Sequence, residues 1–248
     1  MNSLVTKTKG KGPEKARRIV EQARNAGRTA LFEYESDEIA KLYNIHVPRA
    51  GLAKSEKEAV DLSRKISYPV VMKILSPDII HKTDAGGVVL NIKSAAEAMN
   101  AYSSILKNVR RFNKNAAIVG VYVQKMAPSS HEFVVGATRD PQFGPTVMFG
   151  LGGIYVEIFK DVSFRLAPLS KEEALEMIDE TKSSKLLEGF RGEKPLDRES
   201  AAEVIQQIGN MMNDISEIES IDLNPLFIYP KGVIAPDVRI IPSAKDKS

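Results

Sequence analysis

Apolar side chains recur every three or four positions in several stretches of the chain, and this spacing predicts amphipathic helices. One stretch covers residues 14–26 and precedes Gly27, a residue that favours helix termination. Another covers residues 36–43, before an extended segment that contains Pro48. Two later stretches carry the stripes Ala98, Tyr102, Ile105 and Val109, and Ala201, Ile205, Ile208 and Met212. We expect these two helices to lie against a sheet.

Serine–glutamate pairs at i, i+3 spacing predict three helix starts, because each side chain can bond the other residue's backbone N–H. The pairs are Ser55/Glu58, Ser94/Glu97 and Ser170/Glu173. Runs rich in β-branched residues predict strands between the helices. These runs cover residues 70–75, 87–92, 117–126, 132–138, 221–229 and 232–240. Because helices and strands are interspersed without strict alternation, the pattern favours an α+β fold over a doubly wound parallel sheet.

The composition fits a compact globular protein of one large domain or two subdomains, since 43% of the 248 residues are hydrophobic and 27% are charged. No apolar run approaches the roughly 20 residues of a membrane span, and the start of the chain has no apolar signal region. We therefore expect a cytoplasmic protein with no membrane partner. The absence of cysteine excludes disulfides, thiolate catalysis and cysteine-bound metals.

The net charge of +3 includes a cluster of basic residues in the first 18 positions. A solvated tail explains this cluster, and nucleic-acid binding is the alternative. No basic face with interleaved aromatic residues accompanies the cluster, so we expect no nucleic-acid partner.

A lysine lies inside the apolar strand pattern of residues 70–75, and a pair of glycines follows. Lys73 in such a strand suits an anion such as phosphate, because burying its charge alone is costly; a snorkelling lysine on an edge strand is the alternative. Gly86 and Gly87 allow backbone N–H groups to approach phosphate oxygens, although a plain hairpin turn is equally compatible.

The loop between this lysine and the glycines contains His81. A neutral imidazole is nucleophilic near pH 7, and its phosphorylated form can return phosphoryl to ADP; Asp84 is a candidate carboxylate to orient the ring. An ordinary surface histidine is the alternative.

Oxygen ligands and a second glycine cluster occur later in the chain. Asp222 and Asn224 lie on one predicted strand and Asp237 on the next, and pairing of these strands as a hairpin would bring the three together as Mg²⁺ ligands. Polar residues at strand ends are also common without a metal. Gly150, Gly152 and Gly153 lack the spacing of a Walker A or Rossmann loop and predict a flexible loop near a ligand or partner.

Several of these motifs occur in the order typical of a known family. The runs HKTDAGGV, VQKM, EFVVGATRDPQFGPTVMFGLGG and IDLNPLFI, followed by Asp237, resemble the beta subunit of ADP-forming acetyl-CoA synthetases and, more distantly, succinyl-CoA synthetase. The resemblance covers about residues 13–242. It implies an ATP-grasp fold, in which two α+β subdomains clasp the nucleotide.

The resemblance also implies roles for individual residues. It makes Lys73 a phosphate contact and Gly86 and Gly87 a small phosphate loop, and it makes His81 a phosphohistidine, a feature of the acetyl-CoA synthetase branch. The residues implied for the nucleotide are Gln124, Lys125 and Met126 as a hinge that meets adenine, with Glu132 as a weaker candidate. Those implied for Mg²⁺ are Asn224 and Asp237, with Asp222 as a third or outer ligand.

The implied reaction converts acyl-CoA, ADP and phosphate into carboxylate, CoA and ATP, with acetate as the family default. A separate CoA-binding alpha subunit would carry the first phosphohistidine, in an αβ or α₂β₂ assembly. Acyl preference and the choice between ADP and GDP stay open. So do two alternatives, an ATP-grasp carboxylate–amine ligase and a nucleotide-binding regulatory module without catalysis.

We expect the chain to divide near residues 126–131, where turn residues are concentrated. The expected parts are a basic tail (1–12), a helical segment packing with the C-terminal subdomain (13–51), a small subdomain (52–128), a large subdomain (129–242) and a C-terminal tail (243–248).

Overall fold

The computed structural model describes residues 11–79, 81–153, 161–189, 192 and 194–244. Its helices are α1 (Lys11–Asn25), α2 (Glu33–Leu42), α3 (Glu56–Ile66), α4 (Ala95–Phe112), α5 (Lys171–Glu180), α6 (Ser184–Leu187) and α7 (Arg198–Asp214). Its strands are β1 (Ala50–Ala53), β2 (Val70–Leu75), β3 (Val88–Ile92), β4 (Gly120–Lys125), β5 (His131–Asp140), β6 (Gly144–Leu151), β7 (Val162–Leu166), β8 (Ile218–Ile228), β9 (Val233–Ile234) and β10 (Val238–Pro242). None of the described helices is long and apolar enough to cross a membrane.

The predicted helices are present, and their starts follow from local chemistry. At Ser170 both bonds of the capping box form, because Glu173 also accepts from the Ser170 backbone N–H. The hydroxyls of Ser55 and Ser94 likewise accept from backbone N–H groups three residues later. At these two helix starts, however, the glutamate carboxylate accepts from the backbone N–H of the lysine that precedes the serine, Lys54 or Lys93.

The chain folds into two compact units. The smaller unit comprises Phe32–Tyr34 and Pro48–Pro128, and the larger unit comprises the described residues of Met1–Leu31, Glu35–Val47 and Ser129–Ser248. These units differ from the predicted divisions at residues 32–34 and 48–51. Residues 50 and 51 belong to β1, which pairs with β4 of the smaller unit.

The smaller unit contains an antiparallel sheet in the order β1-β4-β2-β3. Helix α4 buries its predicted stripe, and Ile105 and Val109 are fully buried together with Met72 and Ile74 of β2. Two residues that flank the histidine loop, Ile79 and Ala85, join the same core. Both ends of that loop are therefore fixed by apolar packing.

The larger unit contains an antiparallel sheet in the order β10-β8-β5-β6-β7, with β9 also paired to β8. Helix α7 buries Ile205, Ile208 and Met212 in a core shared with Phe133 and Phe149, whose rings stack at 5.5 Å. Two antiparallel sheets with packed helices confirm the predicted α+β class.

Several element boundaries differ from the sequence prediction. The predicted strand 232–240 is split into β9 and β10, with Pro236 in the interruption, and β8 begins three residues before the predicted strand 221–229. Helix α1 begins at Lys11, inside the predicted tail, because Pro13 is tolerated in a first turn whose N–H groups need no helical partner. Strands β1, β6 and β7 were not predicted.

Candidate functional site

Lys73 lies in the middle of the smaller unit's sheet. Strand β2 pairs with β3 on one side and β4 on the other, so the alternative of a snorkelling lysine on an edge strand is wrong. The neighbouring β2 residues are buried, and the Lys73 side chain is only 12% exposed. A charge at such a position requires an anionic partner.

Glu33, at the start of α2, lies next to this lysine. Its carboxylate oxygen Oε1 is 3.8 Å from Lys73 Nζ and 3.3 Å from Lys82 Nζ. All three residues belong to the smaller unit. Sequence reasoning missed Glu33, because no local pattern connects a glutamate at a helix start with lysines on a distant strand and loop.

The histidine loop is a series of backbone turns. The Gly86 N–H donates to the Thr83 carbonyl at 2.9 Å, and the Gly87 N–H donates to the Lys82 carbonyl at 2.7 Å. The Gly87 carbonyl in turn accepts from the Ile74 N–H at 2.7 Å, which joins the loop to β2.

Close packing requires both glycines. A Cβ at Gly87 would lie 2.5 Å from Ile74 Cγ2, and Gly86, with φ +61°, would place a Cβ 2.8 Å from Asn108 Nδ2. Their N–H groups bond within the loop in this conformation, so phosphate contact through them stays a prediction.

His81 is exposed on this loop. Within the part of the chain that the structure describes, no carboxylate is hydrogen-bonded to its ring, and the orienting role of Asp84 stays a prediction. The lysine that follows His81 is anchored to Glu33. The exposed His81 lies on a loop flanked by the buried Ile79 and Ala85, and it is accessible to an incoming phosphoryl group.

The predicted hinge lies at the end of β4. Gln124 is buried, and the Lys125 ammonium donates to the carbonyls of Ser67 and Tyr68 at 3.1 and 2.8 Å. The Met126 N–H donates to the Pro69 carbonyl at 3.1 Å. The Lys125 ammonium therefore supports the local backbone, and an adenine contact by residues 124–126 stays a prediction.

In the larger unit, the second glycine cluster packs against Glu132, which the resemblance makes a candidate for nucleotide contact. The Gly152 N–H donates to the Glu132 carbonyl at 2.8 Å, and a Cβ at Gly153 would lie 2.7 Å from Glu132 Oε2. The Gly153 N–H donates to Asn224 Oδ1 at 3.4 Å. Gly152 and Gly153 therefore contact both Glu132 and Asn224, one of the predicted Mg²⁺ ligands. Residues 154–160 of the predicted flexible loop lie outside the described residues.

The three predicted Mg²⁺ ligands lie on adjacent strands of the larger unit. Strands β8 and β10 are antiparallel, with Leu223 opposite Val238, so continuing the register by one residue places Asn224 opposite Asp237. Asp222 lies on the same strand, two residues before Asn224, and so faces the same side of the sheet. All three residues retain exposed surface.

The charges at this edge favour a cation. Desolvation raises the pKa of the Asp222 carboxyl although part of the residue is accessible, the Asp237 charge raises that pKa further, and Arg239 lowers it. A cation would relieve this concentration of negative charge. The described residues contain no cluster of three or more acidic, histidine or cysteine ligands, so the donor set is two carboxylates and an amide oxygen. That set suits Mg²⁺, which keeps several waters and shares substrate phosphates.

Comparison with known proteins identifies the family. The ATP-grasp domain family matches residues 22–241. The chain is 52% identical over 227 residues to the beta subunit of the ADP-forming acetate–CoA ligase I of Pyrococcus furiosus, covering 92% of this chain and 97% of that subunit. It is 46% identical over 218 residues to the ADP-forming 4-hydroxybutyrate–CoA ligase of Nitrosopumilus maritimus, covering 88% of this chain but 31% of that relative.

Solved structures of related proteins also match this chain. An acetyl-coenzyme A synthetase 1 of Candidatus Korarchaeum cryptofilum, in complex with coenzyme A and Ca-AMPCP, matches with a TM-score of 0.89 and 48% identity over 92% of this chain and 100% of that one. A second structure of that enzyme, with Mg-AMPPCP, has its phosphohistidine segment pointing towards the nucleotide-binding site, with a TM-score of 0.83 and 44% identity over 92% of this chain and 100% of that one. The ATP-grasp prediction is confirmed. The chain therefore belongs to the ATP-grasp family and, within it, to the beta subunits of ADP-forming acetate–CoA ligases.

Proposed function

We propose that this chain is the nucleotide-binding beta subunit of an ADP-forming acyl-CoA synthetase, with acetyl-CoA as the substrate that the family indicates. It transfers phosphoryl between His81 and ADP or ATP, within the overall conversion of acyl-CoA, ADP and phosphate into carboxylate, CoA and ATP. The observation that carries the proposal is an exposed histidine on a loop anchored beside the buried Lys73 of the central strand.

The chemistry is a reversible displacement at phosphorus. A ring nitrogen of His81 attacks the γ-phosphorus of ATP with its lone pair, and the bond from that phosphorus to the β,γ-bridging oxygen breaks. ADP leaves with the electrons of that bond. In the direction of ATP synthesis, a terminal oxygen of ADP attacks the phosphorus of phosphohistidine. Such transfer depends on alignment and charge neutralisation, which Lys73 supplies as the phosphate-contacting cation.

The remaining predicted residues bind metal and nucleotide. Asn224 and Asp237 would hold Mg²⁺, with Asp222 as a third or outer ligand, and the cation would supply charge neutralisation at the phosphates. The backbone of residues 124–126 meets the adenine, and Glu132 contacts the nucleotide. Backbone contact is favoured at the hinge because the Lys125 ammonium is engaged by two carbonyls.

A separate alpha subunit completes the enzyme in this proposal. It binds CoA and carries the first phosphohistidine, which passes phosphoryl to His81. A structure of the related Korarchaeum enzyme contains coenzyme A, acetyl-coenzyme A and a phosphorylated phosphohistidine segment, which supports the passage of phosphoryl through a histidine. We extend the proposal to an α₂β₂ assembly in the cytoplasm.

Labelling with γ-³²P-ATP and Mg²⁺ tests the proposal. We expect acid-labile, base-stable label on the chain, its loss in His81→Ala, and its retention in His46→Ala, a matched change at another exposed histidine. Undiminished label in a folded His81→Ala variant would overturn the relay. Ligase activity of the isolated chain independent of His81 would indicate a carboxylate–amine ligase. Nucleotide binding without any label, even with an alpha subunit added, would indicate a regulatory module.

A further inference from the structure

Glu33 is a buried anion with an unusual set of neighbours. Its side chain is 10% exposed, and within the described part of the chain neither carboxylate oxygen accepts a hydrogen bond of normal geometry. A carboxylate removed from water without hydrogen bonds is unfavourable unless nearby cations compensate it. The lysines near Glu33 can supply this compensation.

Two lysines supply this compensation, and they come from different parts of the smaller unit. Lys82 Nζ lies 3.3 Å from Glu33 Oε1, and Lys73 Nζ lies 3.8 Å from the same oxygen. Without this carboxylate the two ammonium groups would repel each other in a largely desolvated region. Glu33 therefore links the central strand to the histidine loop through one shared oxygen.

The ion pair between Glu33 and Lys82 affects His81, because Lys82 is the next residue in the chain. Lys82 is adjacent to His81, and its carbonyl accepts from the Gly87 N–H at 2.7 Å. The backbone of Lys82 is thus held by the far end of the loop, and its side chain is held by Glu33. Because transfer to phosphorus is sensitive to displacements of about 1 Å, a fixed Lys82 restricts where the imidazole can lie.

We propose that Glu33 is a positioning residue for phosphoryl transfer, which fixes the His81 loop by joining Lys82 to Lys73. The proposal rests on the proposed function of His81. Glu33 contacts neither His81 nor the phosphate in this assignment. Its effect is on the rate of transfer, and not on nucleotide affinity, since the carboxylate supplies no favourable contact to an anionic ligand.

Single-turnover labelling from saturating Mg²⁺ and γ-³²P-ATP separates these effects. We expect Glu33→Gln to slow His81 phosphorylation by about tenfold to a hundredfold, the range that small misplacements cause. The dissociation constant for the nucleotide, measured by calorimetry, should not increase. Glu35→Gln is the matched control, because Glu35 is a similarly buried carboxylate whose partner is Arg28, at 2.6 and 2.9 Å. It should label at the wild-type rate.

A second pair of variants keeps the proposal falsifiable if Glu33→Gln does not fold. Lys82→Gln removes the other end of the link at a less buried position, whereas Lys82→Arg preserves the ion pair. We expect slow labelling in Lys82→Gln and recovery in Lys82→Arg. In the Lys82→Gln background, Glu33→Gln should add little, because the link is already broken.

The outcomes distinguish this inference from the proposed function. Wild-type labelling rates in both Glu33→Gln and Lys82→Gln would overturn the positioning role while leaving His81 as the acceptor. Equal loss of rate and nucleotide affinity in Glu33→Gln would also overturn it, since that pattern indicates a general structural role. If the wild-type chain carries no label on His81 even with an alpha subunit added, the proposed function and this inference both fail.

Discussion

The two units of this protein organise charge in opposite ways. In the smaller unit, Lys73 and Lys82 are largely removed from solvent and already share an internal carboxylate, Glu33. In the larger unit, Asp222 and Asp237 retain exposed surface, and desolvation together with the Asp237 charge raises the pKa of the Asp222 carboxyl. The first region is a compensated cationic cluster, and the second is a concentration of negative charge that an external cation would compensate.

This difference shows how each region can serve a phosphate ligand. The lysine cluster holds its cations in place before any ligand arrives, because Glu33 offsets their mutual repulsion. At the acidic edge, the Asp237 charge raises the pKa of Asp222, so a divalent cation bound there would relieve the concentration of negative charge. We therefore expect changes in the first region to alter transfer rate, and changes in the second to alter dependence on Mg²⁺.

The largest expected effect is the loss of the Lys73 ammonium. Lys73→Met should reduce the rate of His81 labelling by roughly 100-fold or more, the scale seen when one charge-stabilising donor is removed from an active site. The free energy of unfolding, measured in urea, should change little, because Glu33 retains Lys82 at 3.3 Å as a cationic partner. Lys57→Met, at an exposed position of α3, is the control. Labelling of Lys73→Met at the control rate would break the assignment of Lys73.

A packing change in the histidine loop comes next in size. Gly87→Ala places a Cβ 2.5 Å from Ile74 Cγ2, so overpacking should lower the free energy of unfolding by about 1–3 kcal/mol. Gly12→Ala is the control, because its Cβ would make an ordinary contact at 3.5 Å in α1. Urea denaturation measures both. Equal stability of the two variants would show that the Gly87 loop adapts more freely than its packing indicates.

The acidic edge should respond through metal affinity. Asp237→Asn should raise the Mg²⁺ concentration needed for half-maximal labelling by at least about tenfold, the lower end of the effect of perturbing groups around a bound metal. Glu219→Gln, an exposed acid on the same strand β8, should leave the Mg²⁺ dependence unchanged. A uniform fall in rate at all Mg²⁺ concentrations in Asp237→Asn would contradict the assignment to metal binding.

The smallest expected effects concern the pKa of Asp222. Removing the Asp237 charge with Asp237→Asn should lower this pKa, and Arg239→Ala should raise it, in NMR titrations without Mg²⁺. Because the folded-state pKa of Asp222 lies above its ordinary value, its contribution to stability is full below that ordinary value and is lost as pH rises through the folded pKa. Asp222→Asn should therefore stabilise the metal-free protein at neutral pH but not at low pH. Stabilisation that is independent of pH would argue against this electrostatic origin.

Local sequence patterns predicted much of the fold. The stripes of α4 and α7 and the caps at Ser55, Ser94 and Ser170 are encoded within a few residues of where they act. Strands β1 and β6 escaped prediction for physical reasons. Strand β1 has four residues of which only Ala53 is fully buried, and β6 begins with Gly144 and Pro145, which are unfavourable in strands. Pairing with neighbouring strands compensates for these weak local preferences.

The sequence by itself determined the order of the motifs, the α+β class, and the residue types that suit phosphate and Mg²⁺, because these depend on composition and short-range spacing. The tertiary structure decided which of those residues are brought together. It placed β2 in the interior of its sheet, and it brought Glu33 to Lys73 and Lys82 through contacts between segments far apart in the chain. Such contacts depend on how helices and strands pack, and no local pattern of residues contains that information.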